Sequence, residues 1–100
     1  MGEDLFITEA LADELRLAIQ QLHASASQLI GRVPLSEPEL RPQALGGTVY
    51  IYGLLTHPTA TKCYAWATPD HGNSTVMHAV LHSDAIASPD AAVRSLKRKR

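Results

Sequence analysis

Thr48-Val49-Tyr50-Ile51-Tyr52-Gly53-Leu54-Leu55 is followed, after five residues, by Thr61-Lys62-Cys63-Tyr64-Ala65-Trp66-Ala67. Both runs are rich in β-branched and aromatic residues, and His57-Pro58 punctuates the gap, so they read as the strands of an antiparallel hairpin. Four of the five Phe, Trp and Tyr residues of the chain, Tyr50, Tyr52, Tyr64 and Trp66, stand at alternate positions. A loop of Thr56 to Ala60 sets Tyr52 opposite Tyr64 and Tyr50 opposite Trp66. In that register one sheet face is aromatic, and the other carries Val49, Ile51, Gly53, Leu55, Cys63, Ala65 and Ala67. Both faces are largely apolar.

A two-stranded hairpin is marginal in water, which calls for a third strand after the turn Pro69-Asp70-His71-Gly72-Asn73. Thr75 to His82 fills that role. Val76, Met77, Val80 and Leu81 also fit one helical face, but the β-branched residues and the preceding turn favour a strand. Residues 48–82 thus form a three-stranded meander.

Upstream, Leu11, Leu15, Ala18, Ile19, Leu22, Ala26, Leu29 and Ile30 recur at steps of three and four, predicting a helix over 8–31. Thr8 is its expected N-cap, Glu9 suits the positive end of the dipole, and Gly31 with Pro34 supplies the stop. Such a helix is about 34 Å long, against about 17–20 Å for a short strand. The overhang includes Leu17, which lies off the main stripe, and a homodimer is one way to cover it. Residues 34–47, with Pro38, Pro42 and Gly46-Gly47, read as a connecting loop with one helical turn near Ser36 to Leu40. Ser88-Pro89-Asp90 opens a second helix over 88–98 that ends in a basic tail. The expected fold is a single α+β domain over 1–100, in the order α-β-β-β-α.

Composition agrees with one globular domain: 45% of the 100 residues are hydrophobic and 19% charged. The net charge of −1 conceals an asymmetry. Arg94, Lys97, Arg98, Lys99 and Arg100 are five of the nine basic residues, so residues 1–93 hold four bases against ten acids, a net −6. The acidic opening Met1-Gly2-Glu3-Asp4 is unlike a secretory leader, and Phe6 stands where a myristoylation signal has Ser or Thr. The longest apolar run, Val49 to Leu55, is far short of the roughly 20 residues of a spanning helix. A cytoplasmic protein with no membrane partner is expected. Asn73-Ser74-Thr75, a glycosylation pattern in secreted chains, then reads as a turn.

Cys63 is the only cysteine, which excludes an internal disulfide and a multi-cysteine zinc site within one chain. His57, His71 or His78 would have to activate it as a nucleophile, but Ala65 and Ala67 beside it indicate core filling. His78 and His82 share one face of a strand about 13 Å apart, too far to hold one ion, and Ala79 stands where the metalloprotease pattern has Glu. His71 or Asp84 would have to complete such a metal site. Phosphate-cradling glycine loops, nucleophile elbows and paired strand carboxylates are missing from the sequence.

The expectation is therefore a non-catalytic protein without a cofactor: a small regulatory or inhibitory module that binds another protein or itself. The four sheet aromatics are favoured as core over an open platform, since each buries a large apolar area, but which face is covered stays open. Tyr50, Tyr52, Tyr64, Trp66 and Leu17 are the candidate contact residues, because two apolar sheet faces outnumber the helices able to cover them. The alternative is a nucleic-acid accessory factor, with Arg94, Lys97, Arg98, Lys99 and Arg100 on the backbone and sheet aromatics stacking on bases. A metal-binding role for His78 and His82 ranks third.

Overall fold

A computed structural model of the chain describes residues 2–69 and 75–98, with side chains at 10–69 and 75–96. Helix α1 spans Gly2–His23, followed by strands β1 (Ser27–Pro34), β2 (Thr48–Leu54), β3 (Lys62–Pro69) and β4 (Thr75–Leu81), then helix α2 (Pro89–Arg98). The strands form one antiparallel sheet in the order β1-β2-β3-β4. The α+β class stands, but the meander has four strands rather than three.

The added strand corrects the first helix. α1 begins at Gly2, so Thr8 lies inside it rather than capping it, and Glu3 and Asp4 fall in its first turn. It ends at His23 because Ala24 turns left-handed, with φ 52°. Ala24 N–H still bonds Gln20 O at 3.0 Å, which closes the last turn. Leu29 and Ile30 then belong to β1. Leu29 lies opposite Tyr52, and the register shifts between Leu29 and Gly31, making Ile30 the extra residue of a bulge. Gly53 lies beside this residue: a Cβ there would be in ordinary contact with Ile30 Cδ1, 3.4 Å away.

The hairpin register is the second correction. Tyr50 pairs with Ala65, Ile51 with Tyr64, and Tyr52 with Cys63, one residue away from the expected match. Leu54 N–H bonds Thr61 O at 2.9 Å, so the loop runs over 55–60. Long-range bonds set its length. Leu55 N–H donates to Ala26 O at 2.8 Å, and Thr56 Oγ1 accepts from Ala26 N–H at 3.0 Å. Both residues are thereby held to the α1–β1 connection, and His57 Nδ1 accepts the N–H groups of Thr59 and Ala60 to close the rest.

A one-residue slip exchanges the faces of a strand. Tyr50 and Tyr52 consequently join Leu54, Cys63, Ala65 and Ala67 beneath Leu11, Leu15 and Ile19 of α1. Tyr64 and Trp66 point the other way, into a second core with Leu35, Leu40, Ala44, Val49, Ala92 and Val93. Both sheet faces are therefore covered within one chain. The segment 34–47 is more than a connector, since it contributes Leu35, Leu40 and Ala44 to this cover and ends in one-turn 3-10 helices at Arg41–Gln43 and Leu45–Gly47.

Residues 75–81 are a strand, with Trp66 opposite His78 and Cys63 opposite Leu81; the turn residues 70–74 lie outside the described residues. α2 starts as expected, Ser88 Oγ accepting Ala91 N–H at 3.1 Å. Asp90 has a further task. Its carboxylate accepts Ser36 N–H at 3.2 Å, Ser36 Oγ–H at 2.9 Å and Glu37 N–H at 2.9 Å, fastening α2 to the chain that leaves β1. Charge-assisted bonds of this kind contribute strongly, and Asp90→Ala is expected to remove about 2 kcal/mol of stability. Urea unfolding checks this; an unchanged midpoint would show that the fastening is energetically idle.

Candidate functional site

The four aromatics expected at a partner surface are each at most 5% exposed. Tyr52 O–H donates to Ala12 O of α1, and burial followed by the neighbouring Tyr50 pushes its pKa upward. Tyr64 Oη lies 2.9 Å from His82 Nδ1, and burial raises its pKa as well. Trp66 lies against His78, with ring centroids 5.4 Å apart and planes inclined by 37°. This chain thus divides the expected aromatic platform into two interior pairs.

His78 and His82 share the α2 side of β4, and each is engaged with its own aromatic neighbour on β3. Among the described residues, no group of three His, Cys, Asp or Glu side chains is placed to hold a metal ion. His71 lies outside the described residues. Cys63 is fully buried on the α1 face, opposite to the face of His78, and burial pushes its thiol up to about 12. Such a thiol stays protonated at neutral pH, the reverse of what a nucleophile requires.

Burial also lowers the pKa of His78 from its ordinary 6.5. The unfolded chain then binds the proton more tightly than the folded one. Stability from this group is complete above pH 6.5 and declines as pH falls through that value toward the lower folded pKa. His78→Gln is expected to flatten this part of the profile in urea midpoints measured between neutral and mildly acidic pH. Parallel wild-type and variant profiles would contradict it.

Of the basic residues, Arg94 is paired with Glu37, while the side chains of Lys97 and Arg98 and the whole of Lys99 and Arg100 lie outside the described residues. Leu17 is where the sequence places it, on the solvent side of α1, at 60% exposure. Leu22 joins it at 56%, although it belongs to the main apolar stripe. Together with Glu14, Ala18, Gln21, Thr75 and Met77 they line a groove of about 360 Å³ between α1 and β4. A second groove of about 480 Å³, between α1 and β1, is lined by Ala12, Asp13, Arg16, Ser27, Gln28, Leu29 and Tyr52. Arg16 and Asp13 are 3.6 Å apart at its rim, and Ser27 Oγ is buried there with no hydrogen-bond partner among the described residues.

The two sheet edges differ. β1 carries a bulge at Ile30, a charge at Arg32 and a proline at Pro34, all devices that discourage strand addition. β4 pairs with β3 in unbroken register from Thr75 to Leu81 and contains no proline, lysine or carboxylate. His82 N–H bonds Lys62 O at 3.0 Å, so alternation turns the N–H and C=O of Thr75, Met77, Ala79 and Leu81 outward. Ala79 O is met by His23 Nε2 at 2.8 Å. The uncharged run 75–81 is the sequence signal for this edge, and it becomes readable once β4 is known to be terminal in the sheet. No helix among the described residues is long and apolar enough to cross a membrane. Comparison of the chain with protein-family models, curated proteins and solved structures yields no match.

Proposed function

We propose that this chain is a small non-catalytic regulatory or inhibitory module that binds another protein, or a second copy of itself, through the side of the molecule formed by α1 and β4. The observation that carries this reading is the pair Leu17 and Leu22, exposed on α1 beside a sheet edge with none of the protective features of β1. The matching occupant is an extended, uncharged strand. Its backbone meets the outward N–H and C=O groups of β4, and its apolar side chains cover the leucines. The surface is no longer an open aromatic face, since Tyr50, Tyr52, Tyr64 and Trp66 fill the two cores. The nucleic-acid reading draws no support from the described residues, because those aromatics offer no stacking surface and Arg94 is engaged by Glu37.

Crosslinking in the native source followed by titration of the recovered partner tests this. Leu17→Glu and Leu22→Glu are each expected to weaken binding by about tenfold or more, equivalent to about 1.4 kcal/mol, with the circular dichroism spectrum retained. Ile30→Glu on the far edge should leave affinity unchanged. Wild-type affinity in both leucine variants would defeat the assignment.

A further inference from the structure

We propose that the strand seated at the β4 edge is β4 of a second copy of this chain, paired antiparallel about a two-fold axis at Met77, so that two four-stranded sheets become one of eight. This rests on the reading that the α1–β4 side is the binding surface, and it commits that surface to one occupant.

The backbone supplies the first argument. With the axis at Met77, Met77 faces Met77 of the second copy, and Thr75 faces Ala79 of the second copy. All of these are outward-facing positions, so each pair exchanges two N–H···O bonds. Ala79 O already meets His23, and a carbonyl has a second lone pair to accept the N–H of Thr75 of the second copy.

Charge and side-chain chemistry supply the second. Residues 75–81 carry no formal charge, so the strand meets itself without like-charge repulsion. Its side chains call for a largely apolar partner, and β4 is such a strand: Met77, Ala79 and Leu81 lie toward α1, with Val76 and Val80 flanking His78 on the other side. Val76, 44% exposed, would lie beside His78 of the second copy.

The third argument is symmetry. Met77 lines the same groove as Leu17 and Leu22, so an axis through Met77 brings the two grooves together, each covering the leucines of the other. One self-complementary patch then closes the assembly, as an isologous dimer requires.

Light scattering coupled to size-exclusion chromatography on the full chain tests this. The wild type is expected at twice the chain mass when concentrated and at the chain mass on dilution. Leu22→Lys and Val76→Lys, both at exposed positions, should remain at the chain mass throughout while keeping the wild-type circular dichroism spectrum, and Ile30→Lys should follow the wild-type curve. Hydrogen exchange adds a local readout. The outward amide of Met77 should slow as concentration rises, and that of Val76, directed at β3, should not. A wild type at the chain mass at every concentration, a dimer that survives Val76→Lys, or concentration-independent exchange at Met77 would overturn self-pairing. A monomeric wild type that holds a different protein, and loses it in Leu17→Glu, would overturn self-pairing while leaving the proposed function standing.

Discussion

Trp66→Ala is expected to remove about 3–5 kcal/mol of folding stability. A 100-residue domain has about 5–15 kcal/mol in total, so the variant should lose a large share of its stability and unfold at a much lower urea concentration. Trp66 is 1% exposed, and its loss leaves a cavity bounded by the chain at 34–47, by α2 and by His78. Neither covering segment can collapse freely into that space, since Asp90 fixes one to the other. Chemical denaturation monitored by far-ultraviolet circular dichroism measures the effect. The experiment also separates two accounts of the aromatic residues: an exposed platform would lose affinity on truncation and keep its stability. A stable Trp66→Ala protein would refute the second core.

The other large effect belongs to α1. Leu15→Ala should cost about 2–5 kcal/mol, whereas Leu17→Ala, measured at a dilution where the chain is a single copy, should stay within about 0.5 kcal/mol of wild type. Leu15 is fully buried over the Tyr50 and Tyr52 face, and Leu17, two residues on, turns to solvent. Paired urea curves provide the comparison. Equal losses at the two positions would mean that α1 is rotated on the sheet or that Leu17 is already covered by another chain, and a concentration-dependent midpoint distinguishes those cases.

The sequence carries the strands β2, β3 and β4 and the start of α2 because their signals are local: period-two alternation, β-branched residues, and the Ser88-Pro89-Asp90 opening. β1 is hidden for a specific reason. Ala26, Leu29 and Ile30 continue the three-and-four spacing of α1 past its end, and the break is made by Ala24 in a left-handed conformation that the sequence does not announce with Gly or Asn. The hairpin register is hidden differently. Leu55 and Thr56 are drawn out of the ladder by bonds to Ala26 and Ser25, about thirty residues away, and no window around the hairpin contains that information. A single-residue error in loop length then inverts the assignment of every aromatic side chain.

The candidate surface was legible in part for the same reasons. Leu17 stands off the helical stripe and could be singled out as exposed. Leu22 stands on the stripe, and only the end of α1 at His23, beside the edge of β4, shows why it lacks a cover.

The Asp90 fastening bears on how the protein is made. Ser36 and Glu37 leave the ribosome long before Asp90, which follows them by 53 to 54 positions and is synthesised after all four strands. The face bearing Tyr64 and Trp66 therefore waits for the last element in chain order, α2, while α1, which precedes the strands, covers the opposite face. A folding intermediate in which α2 has not docked displays a greasy half-finished sheet, the kind of species on which chaperones act and from which aggregation begins.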